Sequence, residues 1–148
     1  MTDDTTPVPH SEPPALASYP LRRMETIRYA DTDRQGHVNN AVFATFCESG
    51  RVAFLYDPAQ PLAPAGASFV IARLLIDFKA EITWPGQVEI GTKIASIGRS
   101  SFTLLQGLFQ NGRCVATAET VIVLMDEATR RSHPFPAATL AALQRLEG

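Results

Sequence analysis

Residues Arg28 to Arg51 read "RYADTDRQGHVNNAVFATFCESGR", and the way this stretch changes character half-way decides the fold. Its first thirteen residues hold two aspartates, a histidine and two asparagines. After Asn40 the pattern becomes helical: Phe43, Phe46, Cys47, Gly50, Ala53 and Phe54 fall at i, i+3, i+4, i+7, i+10 and i+11, on one stripe of a 3.6-residue period. The spacing predicts a helix from about Asn40 to Tyr56, ended by Asp57-Pro58. The opposite face carries Ala41, Ala44, Val52 and Leu55 where a surface helix would carry charge, so the helix is expected to be covered on more than one side.

Upstream, Leu21 to Ala30 alternate polar and apolar residues as a strand does, and the polar run Asp31 to Asn39 ends it. Met1 to Ser18 hold four prolines and few large apolar side chains, too little to offset the entropy of ordering. This segment is expected to be a disordered tail, leaving residues 19–148 as a single domain. Downstream, Phe69 to Thr83, Val88 to Ile97, Ser101 to Gln110 and Arg113 to Met125 are rich in β-branched and aromatic residues and read as strands. Trp84-Pro85-Gly86, Gly98-Arg99 and Asn111-Gly112 punctuate them, the last being a strong two-residue hairpin signal. The expectation is an α+β fold, a long-stranded, curved antiparallel sheet wrapped around one long helix, with a short terminal helix over Pro136 to Leu146.

Composition narrows the function. At 148 residues, 45% hydrophobic and 19% charged, the chain has the makeup of one soluble globular domain. A net charge of -2 gives no basic field for nucleic acid, although a local basic pocket for a phosphate-bearing molecule remains open. Cys47 and Cys114 lie in apolar stretches without metal-ligand spacing and are expected to be free buried thiols in a reducing compartment. The acidic, proline-bearing start is not a signal peptide and no apolar run reaches membrane-spanning length, so a cytoplasmic protein without a membrane partner is expected.

Asp31-Thr32-Asp33 with Gly36 has the outline of a calcium loop, but Gln35 and Val42 stand where ligands are needed, and Asp31, Asp33 and His37 are too few for a hard-metal cage. No metal and no other cofactor is expected. A plain capping and turn role for the Asp, Asn and Gly residues accounts for the same composition.

Tyr29, Asp31, Thr32, Asp33, Gly36, His37, Val38, Asn39 and Asn40, followed by Phe43, Glu48 and Arg51, resemble the signature of the hotdog-fold acyl-CoA thioesterases of the 4-hydroxybenzoyl-CoA thioesterase type. The likeness runs over about residues 21–130 and takes in the "WPGQV" turn and the "GRSSFTL" and "NGRCVATAE" strands. It implies a hotdog fold, an acyl-CoA substrate, assembly as a homodimer or homotetramer joined edge to edge, and Asp33 as the catalytic carboxylate, with Phe43 where a tyrosine is common. Chemistry agrees with that assignment, since a carboxylate activates water or attacks a thioester itself, and free amides where a loop enters a helix make an oxyanion site. Those donors are expected at Gly36, His37 and Val38, with His37 and Asn39 as carbonyl contacts or supporting groups.

Glu48 and Arg51 stand three apart on the helix and are expected to form an ion pair. The alternative gives His37 and Glu48 to a dehydratase acting on 3-hydroxyacyl thioesters, and a third reading is a non-catalytic acyl-CoA-binding regulator, against which the retained Asp33 speaks. For the coenzyme A phosphates the candidates are Arg73, Lys79, Lys93, Arg99, Arg113, Arg130 and Arg131, with Arg99 and Ser101 in the hairpin turn preferred.

Overall fold

A computed structural model describes residues 14–147 of the chain. Five strands, β1 (Leu21–Thr26), β2 (Ala67–Phe78), β3 (Gln87–Ile97), β4 (Ser101–Gln110) and β5 (Arg113–Asp126), form one sheet in the order β1-β3-β4-β5-β2. Every neighbouring pair is antiparallel. Helix α1 (Asn40–Leu55) lies on one face and α2 (Ala137–Leu146) packs at the far end of the same face. This is the arrangement that the sequence implied, down to the hairpin between β4 and β5, where Asn111 and Gly112 both take positive φ, 51° and 78°.

The period-two pattern explains the core. Val88, Ile90 and Ile94 of β3, Phe102, Leu104 and Leu108 of β4, and Ala116, Ala118, Ile122 and Leu124 of β5 are buried on the face that α1 covers with Phe43, Phe46, Cys47 and Leu55. Two apolar lobes result, one around Phe43, Phe46, Ile82 and Leu108, the other around Leu55, Phe102, Leu124 and Leu143. Between them runs a buried polar belt: Thr92, Gln106 and Thr120 from the sheet and Arg51 from the helix. Gln106 Nε2 donates to the Cys47 carbonyl at 2.9 Å and to Thr92 Oγ1 at 3.0 Å, tying helix to sheet. Gly50 sits above the belt because the helix passes too close for any side chain there. On the other sheet face Tyr19 is buried against Gly91, Gly107 and Phe109, and burial pushes its hydroxyl pKa up to about 12. Both cysteines are free, Cys47 buried and Cys114 half-buried, and burial raises the Cys47 thiol to about 11.

Several boundaries differ from expectation. Of the expected tail, residues 1–13 lie outside the described residues, and Leu16–Ser18 form a 3-10 turn. β1 stops at Thr26 rather than Ala30 because a second 3-10 turn, Tyr29–Asp31, takes over. β2 ends at Phe78 rather than Thr83, since Ile82 and Thr83 leave the sheet to pair with the loop before α1. α1 keeps its predicted start and ends one residue early, with Tyr56 as its cap.

Strand β2 pairs with β5 and, among the described residues, with nothing on its other edge. Phe78, Ile76, Leu74, Ile71 and Phe69 oppose Ala116, Ala118, Thr120, Ile122 and Leu124, so they share the helix-side face across the bulge between Ile71 and Arg73. α1 leaves part of this strip open: Phe78 is 52% exposed, Leu74 37% and Ile71 46%, whereas Phe69 is buried and Ile76 packs against the core.

Candidate active site

The loop that feeds α1 is a small hairpin. Thr32 bridges Val38, Asp33 N–H donates to the His37 carbonyl at 2.7 Å, and Gly36 N–H returns to the Asp33 carbonyl at 3.1 Å. Gly36 closes the turn at φ +80°, where a side chain would be strained. The hairpin is pinned from outside by Val38 N–H on the Ile82 carbonyl at 2.9 Å and by the bridge from His37 to Thr83. Asn39 then starts α1, its side-chain oxygen accepting from Ala41 N–H at 2.9 Å.

The two aspartates have opposite fates. Asp31 is buried, and its carboxylate accepts from Arg28 N–H at 2.8 Å and from the Arg28 guanidinium at 2.9 and 3.2 Å. Burial alone would raise its pKa, but the bonds from Arg28 outweigh it and hold the carboxyl below its ordinary value. A depressed pKa contributes stability above the unfolded carboxylate pKa of about 4, and that contribution is lost as pH falls through the folded value. The D31N variant is therefore expected to melt below the parent at pH 7, with the gap closing below about pH 4. Thermal melts across that range check this, and a gap that stays constant to pH 2 would exclude the Arg28 pairing as its source.

Asp33 faces solvent. One of its oxygens accepts from Gln35 N–H at 2.8 Å and His37 N–H at 3.3 Å, which orients the carboxylate and leaves the second oxygen open. It stands on a cavity of about 370 Å³ with His37, Asn40, Phe43, Phe78 and Lys79. His37 Nε2 meets Glu81 at 3.0 Å across this cavity, and Phe43 packs edge-on against Phe78 with ring centres 5.0 Å apart. Glu81 was not singled out from sequence; it lies in the irregular segment that the strand pattern absorbed. Lys79 borders the Asp33 cavity, and Arg113 lines an adjoining one that shares Ala80 and Glu81 with it.

The expected oxyanion donors need correction. The Gly36 and Val38 amides point inward, to the Asp33 and Ile82 carbonyls, because the hairpin needs them for its own closure. The His37 amide is bent toward Asp33, while the Asn40 N–H, first in the helix, finds no acceptor among the described residues. Asn39, expected at the substrate, serves as the helix cap.

The expected ion pair between Glu48 and Arg51 is likewise absent among the described residues: Glu48 is exposed, and Arg51 is buried over the polar belt. Both line a second cavity, toward Tyr56 and Phe69, that does not include His37, so one chain does not assemble the dehydratase pair. Arg99 and Ser101 lie at the opposite end of the sheet from Asp33, the ten residues of β4, roughly 30 Å, away. A further cavity of about 210 Å³ between α1, β1 and β3 contains none of the expected site residues. Among the described residues no three His, Cys, Asp or Glu side chains are grouped to hold a metal ion, and no helix is long and apolar enough to cross a membrane.

Set beside known proteins, residues 27–143 match the family described as Thioesterase-like superfamily. The chain belongs to that superfamily. Proteins of similar sequence include the 1,4-dihydroxy-2-naphthoyl-CoA hydrolase of Synechococcus elongatus, 26% identical over 132 residues that span 82% of this chain and 91% of the relative. The acyl-CoA thioester hydrolase YbgC of Escherichia coli O157:H7 is 24% identical over 134 residues, 88% of this chain and 97% of the relative. Among solved structures, a thioesterase of Thermus thermophilus complexed with coenzyme A and zinc matches with a TM-score of 0.76 and 30% identity, over 88% of this chain and 96% of that one. The superfamily member described here is thus a thioester hydrolase with the hotdog fold.

Proposed function

We propose that the chain hydrolyses an acyl-CoA to the free carboxylic acid and coenzyme A, with Asp33 as general base or nucleophile. The observation that carries this reading is an exposed carboxylate, oriented through one oxygen, on the same cavity as the unpaired first amide of α1. In the base route Asp33 takes a proton from water, the hydroxide adds to the thioester carbon, and the C–S bond breaks to release the coenzyme A thiolate, which takes up a proton. In the nucleophile route the carboxylate adds instead, the C–S bond breaks to release the coenzyme A thiolate, which takes up a proton, and water opens the resulting acyl anhydride to the free acid and the Asp33 carboxylate. Either way negative charge grows on the carbonyl oxygen, where the Asn40 N–H and the positive end of α1 stabilise it. The His37 ring, held by Glu81, borders the same space.

Lys79 and Arg113 offer cations for the coenzyme A phosphates from the same chain. A second copy supplies more. An antiparallel pairing of β2 with β2 across a two-fold axis protects both open edges and reverses one sheet against the other, which carries the partner copy's Arg99–Ser101 turn toward Asp33. Two measurements test the proposal. Release of free thiol from a panel of acyl-CoAs is expected for at least one member, and light scattering at micromolar concentration is expected to give a dimer or tetramer. A chain that binds acyl-CoA without turnover would be a regulator, and a monomer would leave the Arg99 assignment without support.

A further inference from the structure

Two charged residues are buried among those described, and they differ in one respect. Asp31 has Arg28. Arg51, 4% exposed, has no carboxylate within ion-pair distance, and its Nη1 is buried without an acceptor. Gln106 Oε1 and Thr120 Oγ1, on the sheet below, also lack partners, but they are neutral and cannot balance a guanidinium that stays protonated at any ordinary pH. Leaving a buried cation without a close partner costs several kcal/mol, and the exposed Glu48 carboxylate three residues back favours the guanidinium only from beyond ion-pair distance, so Arg51 has room for a further anion.

Arg51 borders the second cavity, about 160 Å³, walled by Leu55, Tyr56, Phe69, Ile71 and Ile122. The Asp33 cavity and this one share no lining residue; the trough between them is the exposed apolar strip of β2 beside α1. Phe43 lines the Asp33 cavity, and Arg51 lies eight residues further along α1, about 12 Å of helix rise. Beside the helix the exposed strip of β2 runs the same way, from Phe78 past Leu74 to Ile71. Glu48 lines the cavity too, but it is exposed, so water screens its repulsion far better than it screens the buried guanidinium.

We infer that the acyl group of the substrate lies along this trough and ends in a carboxylate that Arg51 binds, which makes the enzyme selective for ω-carboxyacyl-CoA thioesters. The inference rests on the thioesterase reading of Asp33 and adds to it the chemistry of the acyl tail. The apolar trough holds the methylene chain; the guanidinium fork binds the terminal carboxylate through charge-assisted hydrogen bonds.

Matched pairs of thioesters test it: hexanoyl- against adipyl-CoA, octanoyl- against suberyl-CoA, decanoyl- against sebacyl-CoA. The unmodified protein is expected to favour the dicarboxylic member by roughly tenfold or more in kcat/KM at one length at least, the scale of a hydrogen bond to a charged group. The R51M variant keeps the stem and removes the charge; its ratio of dicarboxylic to monocarboxylic kcat/KM is expected to fall to one or below. Equal or better turnover of the monocarboxylic member at every length overturns the inference, and that comparison needs no variant should R51M fail to fold. So does an R51M variant that dissociates by light scattering yet keeps the parental ratio, which would assign Arg51 to a carboxylate of the second copy. Hydrolysis without preference sinks this inference alone. No hydrolysis of any thioester sinks the thioesterase reading and this inference with it.

Discussion

The D33N variant is expected to lose roughly 10²-fold or more in kcat on its best acyl-CoA while melting at the parental temperature. The reason lies in how the carboxylate is held. Asn retains the oxygen that accepts from the Gln35 and His37 amides, so the hairpin before α1 keeps its shape. What disappears is the negative charge and basicity on the open side. Neither the water route nor the anhydride route survives that loss, whereas ground-state binding, which depends on the cavity walls and the phosphate contacts, is expected to stay within a few-fold. E48Q is expected to have a milder effect on kcat, since Glu48 lines the other cavity and does not reach the thioester carbonyl. A D33N protein that melts normally and turns over at the parental rate would remove Asp33 from the chemistry.

The second large effect is on stability. A Cβ at Gly50 would lie 2.5 Å from Ile90 Cγ2, 2.8 Å from Gln106 Nε2 and 3.2 Å from Thr92 Oγ1. Gln106 cannot yield without breaking its bonds to the Cys47 carbonyl and to Thr92, which are the polar link between α1 and the sheet. G50V adds two further methyl groups at the same point, and the expected cost is about 3 kcal/mol, on the order of 10 °C in Tm for a chain of this size. Differential scanning calorimetry on G50V and G50A side by side should show the larger side chain doing the greater damage. An unchanged Tm in both would mean that the helix rides higher above β3 and β4 than described.

The stretch from Arg28 to Arg51 carried more of the fold than any other, because helix periodicity and turn residues are local properties that need no knowledge of what packs where. The same locality explains the misses. Glu48 and Arg51 sit at ion-pair spacing, but spacing on a helix does not say which side a sheet will cover, and here the cover falls on Arg51 and not on Glu48. Ile82 and Thr83 have strand-forming side chains, yet their backbone groups are claimed by Val38 and His37 from a distant loop, a competition that no window of sequence displays. Glu81 entered the Asp33 cavity by the same route. The amides of Gly36 and Val38 looked free for substrate only because their acceptors, one across the turn and one more than forty residues away, could not be read from the motif itself.

The place of β2 in the sheet bears on how the chain folds as it is made. β2 is complete by Phe78, but its neighbour β5 closes only at Asp126, about fifty residues later. At ribosomal speeds of about 5–20 residues per second, a nascent β2 waits for roughly 2–10 s with Ile71, Leu74 and Phe78 still unpaired. β3, β4 and β5, joined by short hairpins, can close on one another first, whereas docking β2 must also close the long loop between it and β5. The outermost strand is thus made early and fastened last, and the interval between is when a newborn chain is most exposed to pairing with another of its kind.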